Sequence, residues 1–526
     1  MVSPNPFCAR CRALIWGLGW EKGRGRDCPL VPKACHRSFA ISSPTVHSSR
    51  SPRPLILRPK VAMLRGGERE VVHKVLMHAG AATLALGAAL PALAQEKFPA
   101  ELAGQAMLPA MTLVQPPADA PAALAVSGKF TLPGQRIDAV GTVAGTSFLS
   151  DKTAPRPTGL SLPFAGQPVQ GFSGIETLKD GTFRVITDNG FGAKANSADA
   201  MLMVHTLRPD WASGVLSRLS TTFLADPDRK LPFVIVNEGT ETRYLTGADL
   251  DIESVQQIGE DLWFGEEFGP YLLRTDRAGK VTGFFQTEVD GKVVHSPDHL
   301  AVATPAVPGK VSFEIRRSRG FEGMAASPDG RFLYPLLEGP LWIDATQTWE
   351  TKDGKEVLRI LEFDVQKQAW SGRSWKYALE ANGNNIGDFN MIDGETGLII
   401  ERDNGEGEAA QACPAEPKPE CFNIPARFKR VYKIDLSQAD GEGVVKKIGY
   451  IDLLDIDDPK GLAHQGGHDG KLTFPFVTIE NVDIVDADHI IVGNDNNLPY
   501  STGRAIGRND DNEMILLKVS DFLKAR

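Results

Sequence analysis

The sequence predicts an all-β fold, a β-propeller of six or seven blades with loop insertions. Three observations support this prediction: a short acidic phrase that recurs five times, turn signals between apolar runs, and little helical periodicity before residue 512. An imperfect repeat of strands and turns is typical of radial architectures, in which each repeat forms one small sheet. A parallel β-helix and a pair of β-sandwiches are the alternatives.

Each copy of the acidic phrase begins with a small or acidic residue before an apolar run, and ends with carboxylates beside glycine or asparagine. The copies start at Gly171, Asp251, Phe321, Ile386 and Ile479. Their ends are marked by Asp188, Glu266, Glu338, Asp403 and Asp495, which are 78, 72, 65 and 92 residues apart. Because a minimal blade takes roughly 40 to 50 residues, either the units carry long insertions or further blades lie between them. The turn-rich stretches 280–308 and 402–430 are predicted to be insertions.

Turn signals precede most of the apolar runs. Lys179-Asp-Gly, Pro328-Asp-Gly and Asp393-Gly-Glu stand before strand-like segments. Asp and Gly tolerate the positive φ of tight turns, so each signal predicts a hairpin. We therefore expect Asp180, Asp329 and Asp393 to close turns. The one segment with helical periodicity is 512–523.

Charge divides the chain into a basic leader and an acidic body. Residues 1–94 carry 14 Lys and Arg against 4 Asp and Glu, a net of +10, whereas residues 95–526 carry 43 against 62, a net of −19. An acidic body disfavours nucleic acid and anionic membranes and suits cations. It also contains no apolar run long enough to span a bilayer, so we expect no stable membrane insertion.

The leader itself divides in two. Residues 63–94 resemble a signal peptide, with basic residues, an apolar stretch over 79–93 and small residues at Ala92-Leu-Ala94. Cleavage near Ala94 would deliver the protein to the periplasm or the medium. Residues 1–62 are predicted to be a mis-assigned or disordered leader, with a transit peptide as the alternative. We expect an extended lead-in over 95–129 and the propeller over 130–526.

The cysteines support this division. Cys413 and Cys421 bracket a Pro-rich stretch and are predicted to form a disulfide that staples a short loop, with two free thiols as the alternative. The other four cysteines lie in the leader, at spacings that fit a zinc site poorly. These are Cys8, Cys11, Cys28 and Cys35.

The repeated phrases resemble those of the phytase-like family, which is described as having esterase-like activity of phytase. The matching phrases are Gly171-Phe-Ser-Gly-Ile-Glu176, Asp251-Ile-Glu-Ser254, Glu266-Glu-Phe-Gly-Pro-Tyr271, Phe321-Glu-Gly-Met324, Leu336-Leu-Glu-Gly-Pro-Leu341, Ile400-Glu-Arg-Asp-Asn404 and Val492-Gly-Asn-Asp-Asn496. The likeness extends over about residues 165–515. It implies a β-propeller and hydrolysis of a phosphate or other ester.

Like positions of successive blades converge at the axis of a propeller, so the repeated carboxylates are predicted to form an acidic ring. Carboxylates that gather repel one another, and a bound hard cation, calcium above all, relieves the repulsion. The predicted metal-binding residues are Glu176, Asp188, Glu266, Glu267, Glu338, Glu401, Asp403, Glu480 and Asp495. The structural alternative is that these side chains accept backbone hydrogen bonds in turns.

The predicted catalytic residues are Glu322, Glu253 and Arg402, with a glutamate such as Glu322 as general base and Arg402 contacting a phosphate. Arg319 and Arg243 are further arginine candidates, although each can equally neutralise neighbouring carboxylates. The expected partner is a small anionic ester, and the protein is expected to be a monomer.

Other hydrolase motifs do not occur in the sequence. It contains no Gly-x-Ser-x-Gly elbow, no His-Glu-x-x-His and no Gly-Lys-Ser/Thr phosphate loop. The sequence therefore favours an exported, calcium-assisted hydrolase of phosphoesters or other esters. The alternative is a non-catalytic propeller that binds a ligand or partner, with calcium only stabilising the blades.

Overall fold

The computed structural model describes residues 95–302 and 312–526. The predicted signal peptide at 63–94, the leader at 1–62 and its four cysteines lie outside these residues. Among the described residues, no helix combines the length and the apolar character needed to cross a membrane.

The described residues form five four-stranded antiparallel sheets, the blades, arranged in a ring. Blade 1 consists of Phe172–Thr177, Phe183–Thr187, Met203–Asp210 and Val215–Phe223. Blade 2 consists of Ile252–Ile258, Asp261–Glu266, Tyr271–Asp276 and Val281–Gln286. Blade 3 consists of Phe321–Ala326, Phe332–Leu337, Lys355–Asp364 and Ala369–Ala378. Blade 4 consists of Asn385–Met391, Thr396–Arg402, Lys429–Asp435 and Lys446–Asp452. Blade 5 consists of Ile479–Ile484, His489–Asn494, Asn512–Lys518 and, from the other end of the chain, Glu101–Leu108.

The ring closes through residues from both ends of the described chain. The first strand of each blade is the innermost, and it packs against the innermost strands of the two neighbouring blades, with blade 5 next to blade 1. The outer strand of blade 5, Glu101–Leu108, pairs antiparallel with Asn512–Lys518. It also makes a parallel bridge to blade 1, where Met107 pairs with Val215. The closing strand therefore joins the last blade to the first.

Short strands and helical turns lie outside the four main strands of each blade. Two-residue to six-residue strands pair locally at Leu113–Val114 with Gln167–Pro168, Val143–Thr146 with Pro157–Leu162, Glu288–Val289 with Lys292–Val293, and Trp342–Ile343 with Thr348–Trp349. Others extend a blade edge at Glu96–Lys97, Thr351–Lys352, Ile456–Asp457, Gly467–His468 and Lys471–Leu472. In the described part of the chain, helical residues are confined to 3-10 turns at Ala122–Ala125, Lys194–Asn196 and Ala409–Gln411, and to one α-helix at Ser520–Lys524.

The core lies between the blades. Each interface between neighbouring blades has its own cluster of buried apolar side chains, including the interface between blades 5 and 1. Between blades 5 and 1, for example, Met514 packs with Phe172 and Val185. Because both faces of the inner strands are covered, these strands are apolar on both faces. Burial at five equivalent interfaces holds the ring together.

The two ends of the propeller differ in loop length. At one end, each first and second strand are joined by a tight hairpin. In three of these turns a carboxylate accepts a backbone hydrogen bond within the turn: Asp180 from Thr182, Asp329 from Arg331, and Asp393 from Thr396. The structural role predicted for these aspartates is therefore confirmed. The long connections lie at the other end, which we call the mouth; within the described residues they span 109–171, 188–202, 224–251, 287–302, 312–320, 338–354, 403–428, 453–478 and 495–511.

The all-β propeller prediction is confirmed, but within residues 95–302 and 312–526 the blades number five rather than six or seven. Each copy of the acidic phrase corresponds to one blade, and the long mouth connections occupy the residues between copies. The predicted insertion at 402–430 is confirmed as the connection 403–428. The predicted insertion at 280–308 is partly wrong, because Val281–Gln286 forms the outer strand of blade 2.

Two further expectations need correction at the ends of the domain. The segment 95–129 is not only a lead-in, because Glu101–Leu108 belongs to blade 5. The helical periodicity at 512–523 is also misleading. Asn512–Lys518 is a strand whose apolar residues face neighbouring blades on both sides, so it lacks the alternation that identifies a half-buried strand. Only Ser520–Lys524 is helical.

The predicted disulfide is present, and it joins Cys413 to Cys421. It lies in the mouth connection of blade 4. There the carbonyl of Cys421 accepts a hydrogen bond from Arg156, whose guanidinium also pairs with Glu406 at 2.5 Å. The disulfide loop is therefore fastened to the connection 109–171.

The closing strand provides a test of the ring. Leu102 is buried between blades 4 and 5, so Leu102→Ala should lower the free energy of unfolding by about 2–4 kcal/mol. The matched control is Leu219→Ala on the outer strand of blade 1, where the side chain is 47% exposed; we expect a change below about 0.5 kcal/mol. Chemical denaturation measures both. Equal, small effects would mean that residues 101–108 are not part of the fold.

Candidate functional site

A polar cavity of about 190 Å³ opens at the mouth end of the propeller axis. Residues from all five blades or from the connections beside them line it. The lining residues are Asp188, Asn189, Gly192, Asp251, Glu253, Glu267, Ser318, Arg319, Glu322, Glu338, Asn385, Arg402, Thr478, Glu480, Asp495 and Asn497. We call this cavity the acidic channel.

One set of carboxylates comes from β-bulges in the innermost strands. In blade 2, Ile252 pairs with Glu266 and Ser254 pairs with Gly265, so Glu253 between them has no opposite residue. The same irregularity leaves Glu322 unpaired in blade 3 and Glu480 unpaired in blade 5. A bulge redirects a side chain that would otherwise follow the alternation of the strand. These three glutamates all line the acidic channel.

The second set lies at the end of each second strand. The first apolar residue of the innermost strand pairs with one residue of the second strand, and the residue after that partner belongs to this set. This residue is Asp188 in blade 1, Glu267 in blade 2, Glu338 in blade 3 and Asp495 in blade 5. Blade 4 has the same register, because Ile386, the equivalent of Ile252, pairs with Glu401. Arg402 therefore occupies the equivalent position. The ring at this level consists of four carboxylates and one guanidinium.

This register explains why four predicted residues lie outside the channel. Glu176 lies three residues beyond Ser173, which is the true equivalent of Glu253, and therefore about 10 Å further along the strand. The Glu176 carboxylate pairs with Arg184 instead. Ser173 is in place, and its hydroxyl donates a hydrogen bond of 3.1 Å to Glu480.

The other three residues serve structural roles. Glu266 accepts backbone hydrogen bonds from Asp251, Phe268 and Gly269, so it closes the turn that follows its strand. Glu401 accepts hydrogen bonds from the Tyr377 hydroxyl at 2.7 Å and from Lys447 at 3.0 Å. Asp403 accepts backbone hydrogen bonds from Gly405, Arg427 and Phe428. For these residues the structural alternative is the correct one.

The carboxylates of the channel approach one another closely between blades 2 and 3. Asp251, Glu253 and Glu267 each offer an oxygen atom within 4.8 Å of the others, and so do Glu267, Glu322 and Glu338. Glu267 belongs to both groups. All five side chains are more than nine-tenths buried. This arrangement brings two sets of oxygen ligands together around one shared carboxylate.

Burial and mutual repulsion raise the pKa values of these groups. Desolvation is the first cause for Glu322 and Glu253, and neighbouring carboxylates add to it, so the pKa of each rises well above its usual range. Glu267 and Asp188 are raised for the same reasons. Burial, aided by Glu480, raises the pKa of Asp495 to about 8. Asp495 therefore retains a proton near neutral pH when no cation is bound.

Glu322 differs from its neighbours in its contacts. It is only 5% exposed, yet no group in the described parts of the chain hydrogen-bonds to its carboxylate. Asp251, in contrast, accepts hydrogen bonds from the backbone and the side-chain amide of Asn189, at 3.1 and 2.8 Å. The Glu322 carboxylate lines the acidic channel and is therefore available to a ligand that enters there.

Two arginines supply positive charge. Arg402 donates from Nη2 to Glu480 at 2.6 Å, while its Nε is buried and has no partner among the described residues. Arg319 pairs with Glu338 and is about one-third exposed at the side chain. Glu338, and after it Glu267, raise the pKa of Arg319 although burial opposes this. Arg243 lies outside the channel, where it pairs with Asp226 and Glu238.

Sequence reasoning missed several lining residues. Asp251, Asn385 and Thr478 immediately precede the first apolar residue of their inner strands, so they occupy the same place in three blades. Asp251 is the first residue of the second acidic phrase, and an alignment of the copies by strand register would have identified it. Asn189 and Asn497 follow the ring carboxylates, as the Asp-Asn endings of their phrases indicate.

Comparison with known proteins identifies the family. The profile of the phytase-like family, described as esterase-like activity of phytase, matches residues 167–498. An uncharacterized secreted protein of Arthroderma benhamiae is 29% identical over 147 residues, which are 25% of this chain and 26% of that protein. This chain thus spans about a quarter of the relative's length.

Solved structures are similar only at low identity. A GH43 β-1,3-galactosidase is 9% identical with a TM-score of 0.33, over 72% of this chain and 94% of its own. The periplasmic gluconolactonase of Pseudomonas aeruginosa is 13% identical with a TM-score of 0.26, over 72% of this chain and 98% of its own. The family profile covers well over half of the chain and includes all five innermost strands. The chain therefore belongs to the phytase-like family.

Proposed function

We propose that this protein is an exported, calcium-assisted phosphoester hydrolase whose active site is the acidic channel. The observation that carries the proposal is the Glu322 carboxylate, which lines a channel that also contains two arginines and receives no hydrogen bond from the described residues. Family membership supports ester hydrolysis as the reaction class. The same channel thus contains carboxylates that can hold a cation and two guanidinium groups that can contact an anion.

The donor set suits a hard cation. The lining residues offer carboxylate, amide and hydroxyl oxygens, and none of them is a cysteine or a histidine. Oxygen ligands of this kind favour Ca²⁺ over zinc. Asp251, Glu253 and Glu267 are the residues that would hold it. When bound, calcium would neutralise the phosphoester and help to ionise an attacking water.

The arginines give the channel its anion-binding wall. Arg402 pairs with Glu480 through Nη2, and its buried Nε has no partner among the described residues. Arg319 lies nearer to solvent. Guanidinium groups bind phosphate oxygens through paired hydrogen bonds, so these two side chains can orient a phosphoester as it enters. A small anionic ester fits the cavity volume.

The proton transfers are assigned to two carboxyl groups. Glu322, once ionised, takes a proton from the water that attacks phosphorus. The bond between phosphorus and the alcohol oxygen breaks, and the leaving oxygen receives a proton. Asp495, which burial keeps protonated to about pH 8, can supply it. The products are inorganic phosphate and an alcohol.

Export and oligomeric state form the rest of the proposal. A Cys413–Cys421 disulfide is expected in an oxidising compartment, and the Arthroderma benhamiae relative is named a secreted protein. We place the mature protein in the periplasm or the medium. A single chain completes the ring of blades, so we expect a monomer that binds neither nucleic acid nor membranes stably.

The pH dependence of stability tests the cation site. The folded protein holds protons on groups such as Asp495, with a pKa of about 8, that the unfolded chain releases near pH 4. Without calcium, stability should therefore fall as pH rises from about 4 to 8, by about 1.4 kcal/mol per pH unit for each such proton. Calcium should raise the melting temperature more at pH 8 than at pH 5. Equal calcium effects at both values would contradict the site.

Turnover tests the catalytic part. The purified protein should hydrolyse a generic phosphomonoester with calcium and lose this activity with a chelator. A diester, phytate and a carboxylic ester complete the substrate panel. No turnover on any of them, with calcium still raising the melting temperature, would favour the non-catalytic ligand-binding propeller instead.

Glu322→Gln should lower kcat by at least about 100-fold, as expected for loss of a general base, while calcium continues to stabilise the variant. Glu267→Gln should lose the calcium stabilisation as well. The matched control is Glu176→Gln, which lies outside the channel and should keep its activity. Unchanged turnover in Glu322→Gln would remove this residue from the mechanism.

A further inference from the structure

Exposed apolar side chains are concentrated at the mouth of the propeller. Nine large apolar residues are exposed in the described chain. Seven of them lie in the long mouth connections: Met111, Val140, Phe148, Val234, Val236, Leu300 and Ile424. Single exposed apolar residues are normal on protein surfaces, but their gathering at the end where the acidic channel opens is not explained by folding.

Two of these residues lie in mouth connections that are hydrogen-bonded to each other. Phe148 and Ile424 are 52% and 53% exposed. Their segments are joined by a hydrogen bond of 3.4 Å between the Asn423 side chain and the carbonyl of Leu149. We call Phe148, Leu149 and Ile424 the apolar patch.

Backbone hydrogen bonds link the segments that carry the patch to the channel wall. The backbone amide of Phe148 donates to the carbonyl of Tyr500 at 3.0 Å, and the amide of Tyr500 donates to the carbonyl of Asn497, which lines the channel. On the other side, the amide of Glu406 donates to the carbonyl of Ile424 at 2.9 Å. Glu406 follows Arg402 by four residues. The patch therefore lies on the side of blades 4 and 5, where Arg402 contributes its positive charge.

The segments that carry the patch are held in place before any ligand arrives. Glu406 accepts hydrogen bonds from Arg156, from the Ser147 hydroxyl at 2.7 Å and from the backbone of Thr502. Arg156 also lies over the ring of Phe422. One buried ion pair thus joins the three mouth connections that surround the patch. A preformed apolar surface loses little conformational entropy when it binds a ligand.

We propose that the apolar patch binds the alcohol part of the substrate, and that the substrates are alkyl or aryl phosphomonoesters rather than polyol phosphates. This inference rests on the proposed function of the acidic channel. The phosphate would bind at Arg402 and the cation-binding residues, and its apolar substituent would cover Phe148 and Ile424. A hydroxyl-rich substituent would lose hydrogen bonds to water at this surface without replacement.

Chain length is the experimental variable. We expect kcat/KM with calcium to rise from methyl to butyl to hexyl phosphate, with each additional buried CH₂ contributing up to about fourfold. Phe148→Ser and Ile424→Ser should each lower the ratio of hexyl to methyl phosphate hydrolysis at least threefold. Val215→Ser, an exposed position on the outer strand of blade 1, is the matched control and should leave the ratio unchanged.

Binding measurements test this inference independently of the proposed function. Calorimetry with methylphosphonate and hexylphosphonate needs no turnover, and hexylphosphonate should bind more tightly in the native protein but not in Phe148→Ser. Hydrolysis without any dependence on chain length would overturn the inference and leave the proposed function intact. Equal affinity for both phosphonates would overturn it as well. Absence of hydrolysis, with tighter hexylphosphonate binding, would overturn the proposed function while supporting the patch.

Discussion

The repulsion among buried carboxylates at the propeller axis is the constraint on which the rest of the site depends. Five blades bring their equivalent positions to one small cavity, and most of these positions carry an acid. Asp251, Glu253, Glu267, Glu322 and Glu338 crowd between two neighbouring blades. Without a cation, such a group must keep protons or pair with arginine. The protein does both, through raised pKa values and through Arg402 and Arg319.

The scaffold tolerates this repulsion because its stability comes from elsewhere. Five apolar clusters between the blades and a closing strand from the beginning of the described chain form the ring. β-Bulges then direct single glutamates toward the axis without interrupting those clusters. In blade 4 the equivalent position carries a guanidinium instead of a carboxylate, and this side chain, Arg402, pairs with Glu480 of blade 5.

The propeller architecture and most of the ring of carboxylates could be predicted from the sequence, because strands, turns and the acidic phrase repeat together. The sequence was insufficient where a shift of a few residues decides which way a side chain points. In blade 1 the residue equivalent to Glu253 is Ser173, and Glu176 lies three residues further along the strand. In blade 4 the position in the ring belongs to Arg402 and not to its neighbours Glu401 and Asp403. Strand pairing fixes these positions, and pairing depends on contacts between distant residues. The blade count failed because long mouth connections occupy as many residues as missing blades would.

The cation site in the acidic channel is tested most directly by a calorimetric titration of the metal-free protein with calcium at pH 7, repeated in buffers of different ionisation enthalpy. If the acidic channel is a cation site whose carboxyl groups hold protons, calcium should bind and should release at least one proton. Glu267→Gln, which alters the carboxylate shared by both groups, should abolish both effects. Absence of binding, or binding without proton release, would contradict the account.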